Sequence, residues 1–336
     1  MAVRFVKSSV SAFGMAPSDE NRALRLVELC GRTAYKSEDK ITEDSAKKFV
    51  PMLKSRGHLS VLEHSNIVLK VENDPGAPTG GGCAGVSFEM LVEALRDRLG
   101  FHRIYPLGSN QGFYLAANFR AWVETLDYLK PRKALYDFFC QSLTRFFPAL
   151  FSAPAGSFPP RVSLVGEQEQ LALLKNDPSF DLPVFVFRFV CDRGITHEVV
   201  RHRVLSFTQE STRYVNYGNR GMELILPEEL HSAYDVATGQ LAPDNLLAAQ
   251  WLQRAEILFH WYGEDLARGL RPEIARDILP NLLKSELFVS GRWSGWNHFL
   301  RLRDSSQAHP RIRIIAKEVK KYFEGLGLRV PREQGE

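Results

Sequence analysis

Two stretches rich in chain breakers constrain this sequence more than any other feature. Residues 73–82 read Asn-Asp-Pro-Gly-Ala-Pro-Thr-Gly-Gly-Gly, and residues 153–160 read Ala-Pro-Ala-Gly-Ser-Phe-Pro-Pro. Proline lacks an amide donor and glycine loses the most backbone freedom on ordering, so neither stretch suits the interior of a helix or strand. Regular structure is therefore confined to blocks before, between and after them. Strand character stops at residue 71 and resumes at residue 184. Residues 73–182 are accordingly expected to form an inserted helical subdomain or lid within a single domain spanning 1–336.

Apolar periodicity fills in the blocks. Residues 3–7, 66–71, 184–190 and 222–226 are β-branched or aromatic-rich and predict strands. A helix is expected over 20–31, capped by Asp19 or Ser18, and others over 88–99, 114–129 and 134–147 within the insertion. Thr196 is expected to cap a short helix running through Arg203, with 206–217 as a loop or irregular extended segment. From residue 245 the chain reads as helical to its end, in four pieces: 245–269, one beginning at Pro272, 293–302 and 308–323. The fold class expected is α+β: a mostly antiparallel sheet flanked by helices, with the helical insertion.

Composition excludes several classes. An apolar fraction of 44% and a charged fraction of 24% are those of an ordinary globular protein. Charged residues interrupt every apolar run, so no membrane role is expected, and the first residues lack the apolar core of a signal peptide. Cys30, Cys83, Cys140 and Cys191 form no Cys-x-x-Cys pair, which suits a reducing compartment and a cytoplasmic location. The net charge of +4 is too small to argue for nucleic acid.

Residues 201–214, Arg-His-Arg-Val-Leu-Ser-Phe-Thr-Gln-Glu-Ser-Thr-Arg-Tyr, carry the chemistry. Guanidinium groups offer a planar fork of donors matched to phosphate and never titrate away. Gln209, Ser211 and Thr212 add neutral groups able to read a sugar or base edge. Arginines on both sides of His202 disfavour its protonation. From charge alone the bland reading is a solvated basic helix end with Glu198 and Glu210 as ion-pair partners. A non-enzymatic nucleic-acid-binding module is the more distant rival, weakened by sparse aromatic interleaving.

Arg-His-Arg, seven residues, then Ser211-Thr212-Arg213-Tyr214 resembles the signature of flavin-dependent thymidylate synthases. Gly57-His58-Leu59-Ser60 with Glu63-His64 is similar to that family's upstream element, and Arg32-Thr33-Ala34-Tyr35 to its first motif. Ala275-Arg276-Asp277-Ile278-Leu279-Pro280, His298-Phe299-Leu300-Arg301-Leu302-Arg303 and Ala308-His309-Pro310-Arg311-Ile312-Arg313 follow in the family's order. The match covers residues 1–72 and 184–325.

The resemblance implies FAD as cofactor, held by His58, Ser60, Arg201, His202, Arg203, Gln209 and His298. It implies dUMP as substrate, contacted by Glu198, Arg201, Gln209, Ser211, Arg213, Arg276 and Arg303. Arg303 is the implied catalytic group, its fixed charge stabilising negative charge developing on the uracil. Methylene-tetrahydrofolate and NADPH would be co-substrates giving dTMP, and the protein a homotetramer sharing sites between subunits. Gln209, Thr208, Glu198, Arg292 and Ser294 depart from the family pattern, and the changes at Glu198, Arg292 and Ser294 make a diverged pyrimidine-nucleotide methylase or hydroxymethylase the nearer alternative.

The remaining candidates read blandly. His58, Glu63 and His64 lack zincin spacing, and no metal is expected. Asn118-Phe119-Arg120-Ala121-Trp122 reads as two core aromatics with a surface arginine in preference to an active-site lid. No Gly-x-Gly-x-x-Gly follows a strand, which argues against Rossmann-type FAD binding.

Overall fold

The computed structural model describes residues 3–73, 86–96, 102–108, 111–153, 159, 161–242 and 244–331. Most of both breaker stretches, Cys83 and the end of the helix expected at 97–99 lie outside them.

The strand pattern at 184–190 belongs to the central strand of the fold. Strand β7 (Val184–Asp192) pairs antiparallel with β2 (Ser9–Met15) on one side and β12 (Lys284–Arg292) on the other, and β12 pairs antiparallel with β8 (Ser206–Gln209). The continuous apolar run of β7 exists because both faces are covered. Val184 and Val186, with Phe288 of β12, face a core shared with helices α1 (Glu20–Tyr35), α2 (Ala46–Ser55), α4 (Phe119–Leu129) and α5 (Lys133–Phe146). Phe185, Phe187 and Phe189, with Leu287 and Val289, face α11 (Trp293–Arg303) and α12 (Pro310–Gly325) through Trp296, Phe299 and Phe323. Each such buried side chain contributes about 1.5–3 kcal/mol of transfer energy, so this sandwich anchors everything mounted on it.

A second antiparallel sheet has the order β4-β5-β3-β6: β4 (Arg103–Leu107), β5 (Gly112–Ala117), β3 (Ile67–Glu72) and β6 (Val162–Leu164). Helices α3 (Phe88–Ala94) and α6 (Glu167–Asn176) complete this part. A third core gathers a short parallel pair, β1 (Val3–Val6) with β9 (Met222–Ile225), the two-residue strands β10 (Tyr234–Asp235) and β11 (Gln240–Leu241), and α9 (Leu246–Ala267). The short helices α7 (Arg193–Val199), α8 (Tyr217–Arg220) and α10 (Pro272–Ala275) lie around the site. Antiparallel sheets flanked by helices make this an α+β fold.

Several local expectations need correcting. The described part of 73–182 is not helical alone: β4, β5 and β6 extend a sheet that β3 begins outside it. Tyr114 belongs to β5, because its segment pairs along β3 (Lys70 opposite Tyr114), and the helix starts after the Asn118 cap. Asp192, not Thr196, caps α7 by accepting from Ile195 N at 2.9 Å, and α7 ends at Val199. The expected loop at 206–217 opens with β8, and β12 interrupts the stretch read as helical.

Candidate active site

Strand β8 and the turn before it set the site. After α7 the chain turns through Arg201–His202–Arg203 and packs Leu205 against β12. A Cβ on Gly291 would lie 2.2 Å from Leu205 Cδ2, so glycine there leaves room for Leu205 in its present rotamer. Thr208 on β8 is bonded to His64 Nε2 at 2.9 Å, while Ser290 on β12 is bonded to Nδ1 at 3.0 Å. His64 is fully buried, and burial pushes its pKa down to about 3. A neutral imidazole thus ties the His58–His64 loop to two strands. Among the described residues no group of three or more His, Cys, Asp or Glu is placed to hold a metal.

Between that loop, β8 and the end of α1 lies a cleft of about 700 Å³. His58, Ser60, Gln209, Ser211, Arg213 and Arg276 all line it, so the structure gathers side chains from three separate motifs. Gln209 Nε2 donates to Thr196 Oγ1 and Ser285 Oγ, each at 3.0 Å, which fixes the amide on the cleft wall. Arg276 Nη1 donates to Thr212 Oγ1 at 3.0 Å. Arg193, which follows the Asp192 cap, also lines the cleft and was not singled out from sequence. Among the described residues no carboxylate lies within ion-pair distance of Arg193, Arg213 or Arg276. Glu210, the one acid in the wall, is buried and engaged with Lys36 at 3.5 Å and Lys284 at 3.7 Å. The cleft therefore carries uncompensated positive charge beside neutral hydrogen-bonding groups, an environment built for an anion.

A second hollow of about 600 Å³ holds Arg203 and His298, with Arg292 and Ser294. Burial, then the neighbouring Arg103, push the Arg292 pKa down to about 10, with Asp181 opposing. The buried Arg292 Nε has no acceptor among the described residues.

Glu198, Arg201, His202 and Arg303 line neither hollow. Three of them bond one another. Arg303 donates from Nε to His202 Nε2 at 2.9 Å, from Nη1 to Glu198 Oε2 at 2.9 Å and from Nη2 to Glu198 O at 3.1 Å. Since Nε can only donate, His202 Nε2 is the acceptor and the neutral ring carries its proton on Nδ1. That buried donor also lacks an acceptor among the described residues. Burial, then Arg303 and His298, lower the His202 pKa to about 4. The cause is thus not the flanking Arg201 and Arg203 that the sequence pointed to. Arg201 is exposed.

The fold and these sites define an α+β protein with an arginine-lined cleft suited to an anion. Residues 170–326 match the family described as thymidylate synthase complementing protein, and the chain is similar to proteins named flavin-dependent thymidylate synthase. The enzyme of that name from Pyrococcus abyssi is 32% identical over 128 residues, covering 38% of this chain and 48% of that protein. The one from Corynebacterium efficiens is 35% identical over 128 residues, covering 37% and 50%. The chain thus spans about half the length of the curated relatives it matches. A UMP/dUMP methylase PolB from Streptomyces cacaoi, solved with 5-Br dUMP, aligns at 23% identity over 48% of this chain and 78% of that one, with a TM-score of 0.36.

Proposed function

We propose that this protein is a flavin-dependent thymidylate synthase, converting dUMP to dTMP with methylene-tetrahydrofolate and NADPH. One observation carries the reading: Arg193, Arg213 and Arg276 face a cleft without carboxylate partners among the described residues, beside Gln209 and Ser211. In this reading Arg213 and Arg276 grip the nucleotide phosphate, and Gln209 and Ser211 take its sugar or base edge. His58 and Ser60 border the flavin ring. Arg203 and His298 serve the FAD phosphates from the second hollow, where the orphaned Nε of Arg292 supports an anionic occupant. FAD, when bound, supplies hydride transfer that no side chain here offers.

Arg303 is assigned to the uracil, where its charge stabilises an anion developing on the ring. Its fork is turned onto Glu198 and His202 in this structure, so Glu198 must give up part of that pair for ring contact. Arg201 and the Glu198–His202–Arg303 group lie outside the cleft of one protomer. That placement is compatible with a homotetramer whose sites are completed by a neighbouring subunit. No helix among the described residues is long and apolar enough to cross a membrane.

The test is direct. A purified preparation is expected to be yellow, to oxidise NADPH in response to dUMP, and to yield a methylated nucleotide by mass spectrometry. Flavin-free protein that leaves dUMP unmodified would falsify the assignment.

A further inference from the structure

The segment between the two breaker stretches reaches the site through one side chain. Arg120 stands in the first turn of α4, whose cap Asn118 accepts from Ala121 N at 2.8 Å. Phe119 and Trp122 beside it are fully buried, so the backbone is anchored, while the Arg120 side chain is 40% exposed. Among the described residues, Arg120 alone lines both the cleft and the second hollow. Its Nη1 donates to Glu63 Oε1 at 2.7 Å and its Nε to Glu124 Oε1 at 2.9 Å. Nη2 makes no hydrogen bond among the described residues. A guanidinium carries five N–H donors in one fixed plane, so bonding Nε and Nη1 to carboxylates fixes the direction of Nη2 between them.

We propose that Arg120 is a shared anion-contact residue, contributing to the binding of a phosphate-bearing ligand in each of the two hollows. This rests on the functional reading above and adds to it a group from outside every matched motif. Glu63 and Glu124 hold the side chain at the junction and also compete for its charge. An anion on either side gains a charge-assisted bond at their expense. The merely structural alternative is that Arg120 ties α4 to the loop bearing His58 and Ser60, and acts on ligands only through that tie.

The experiment uses the full chain, titrated with dUMP by calorimetry and with FAD by flavin fluorescence, with the melting temperature of each variant measured alongside. Arg120→Ala is expected to raise both dissociation constants by about tenfold or more, the effect of losing a hydrogen bond to a charged group. Arg120→Lys retains the charge without the fork and is expected to fall between, which keeps the test open if the alanine variant folds poorly. Arg276→Ala is expected to weaken dUMP alone. Glu63→Gln decides between contact and tie: removal of a competing charge leaves both affinities unchanged or raised if Arg120 touches the ligands. Weakening of both by Glu63→Gln, to the extent seen for Arg120→Ala, overturns the proposal in favour of the tie. Wild-type protein that binds both ligands, with Arg120→Ala weakening one or neither, overturns this proposal alone. Wild-type protein that binds neither overturns the functional reading and this inference with it.

Discussion

Two regions of this molecule, sharing Glu210 as a common wall, treat their charge in opposite ways. In the cleft, Arg193, Arg213 and Arg276 have no acidic partners among the described residues. Behind it, a hollow of about 490 Å³ is lined by Lys36, Arg188, Glu210, Glu223, Lys284 and Glu286, and these neutralise one another. Lys284 lies 2.8 Å from Glu286, 3.3 Å from Glu223 and 3.7 Å from Glu210. Lys36 joins Glu286 and Glu210 from the left-handed residue (φ 50°) that ends α1. Arg188 reaches Glu286 at 3.6 Å across the β7–β12 pair. Charge in low dielectric is costly unless paired, so the paired set reads as structure and the unpaired set as a binding surface.

The largest expected effect breaks the paired side. Lys284→Met leaves three carboxylates sharing fewer cations in a site where the lysine side chain is only 12% exposed. Removing one partner of a buried pair costs about 3–5 kcal/mol, and Lys36 holds the loss to about the lower end. Chemical denaturation measures it, while the dUMP affinity of the folded protein stays near the wild-type value. A loss in affinity with unchanged stability would show that the network serves ligand rather than fold.

Acid sharpens the same point. Burial alone would raise the Glu286 pKa, but Lys284 and Lys36 outweigh it and hold the carboxyl at about 2. A carboxyl depressed in the folded state stabilises fully above its unfolded value, near 4.3, and that stability is lost as pH falls through the folded value. About 3 kcal/mol is therefore expected to disappear between about pH 4.5 and 2. Denaturant midpoints followed across that window should flatten in Glu286→Gln, which has no charge there to lose.

The unpaired side should respond inversely. Arg213→Ala and Arg276→Ala are each expected to cost about 2 kcal/mol in dUMP binding, roughly thirtyfold in dissociation constant. Stability should move by no more than about 0.5 kcal/mol in Arg213→Ala, an exposed position, and by about 1 kcal/mol in Arg276→Ala, which loses its hydrogen bond to Thr212 Oγ1. Comparable losses in melting temperature and affinity would erase the distinction between the two regions.

How much of this the sequence held depends on where each residue's partners lie. The run Val-Phe-Val-Phe-Arg-Phe-Val declares β7, because burial on both faces leaves a continuous apolar signal. Strand β12 pairs with it along its whole length yet was read as part of a helical stretch. Its Lys284 and Glu286 are charged, Gly291 is there to admit Leu205, and the partner Lys36 lies 250 positions away. Nothing local marks such a strand. The same reason separates the site residues. Gln209, Ser211 and Arg213 sit within one motif and fall together on one wall, whereas Arg120 and Arg193 acquire their position only when separate elements pack. The Asn118–Trp122 reading was correct for its buried aromatics and missed what packing them does to the arginine between.

Arg303 falls between the two regimes, and it offers the smallest and most discriminating measurement. Its fork is satisfied by Glu198 and His202, as in the network, yet its side chain stays 19% exposed and Glu198 34% exposed, as at a working surface. Solvent screening limits the pair to about 1 kcal/mol or less, so Glu198→Gln should barely shift the melting temperature. If Arg303 is purely structural, turnover of dUMP follows that small change. If it is released toward the substrate, loosening its carboxylate partner alters the rate at saturating dUMP more than it alters stability. Arg303→Lys then separates the cases, because an ammonium retains the charge but cannot bond His202, the Glu198 carboxylate and a substrate in one plane. A lysine variant with wild-type turnover places Arg303 with the paired network and removes it from the reaction.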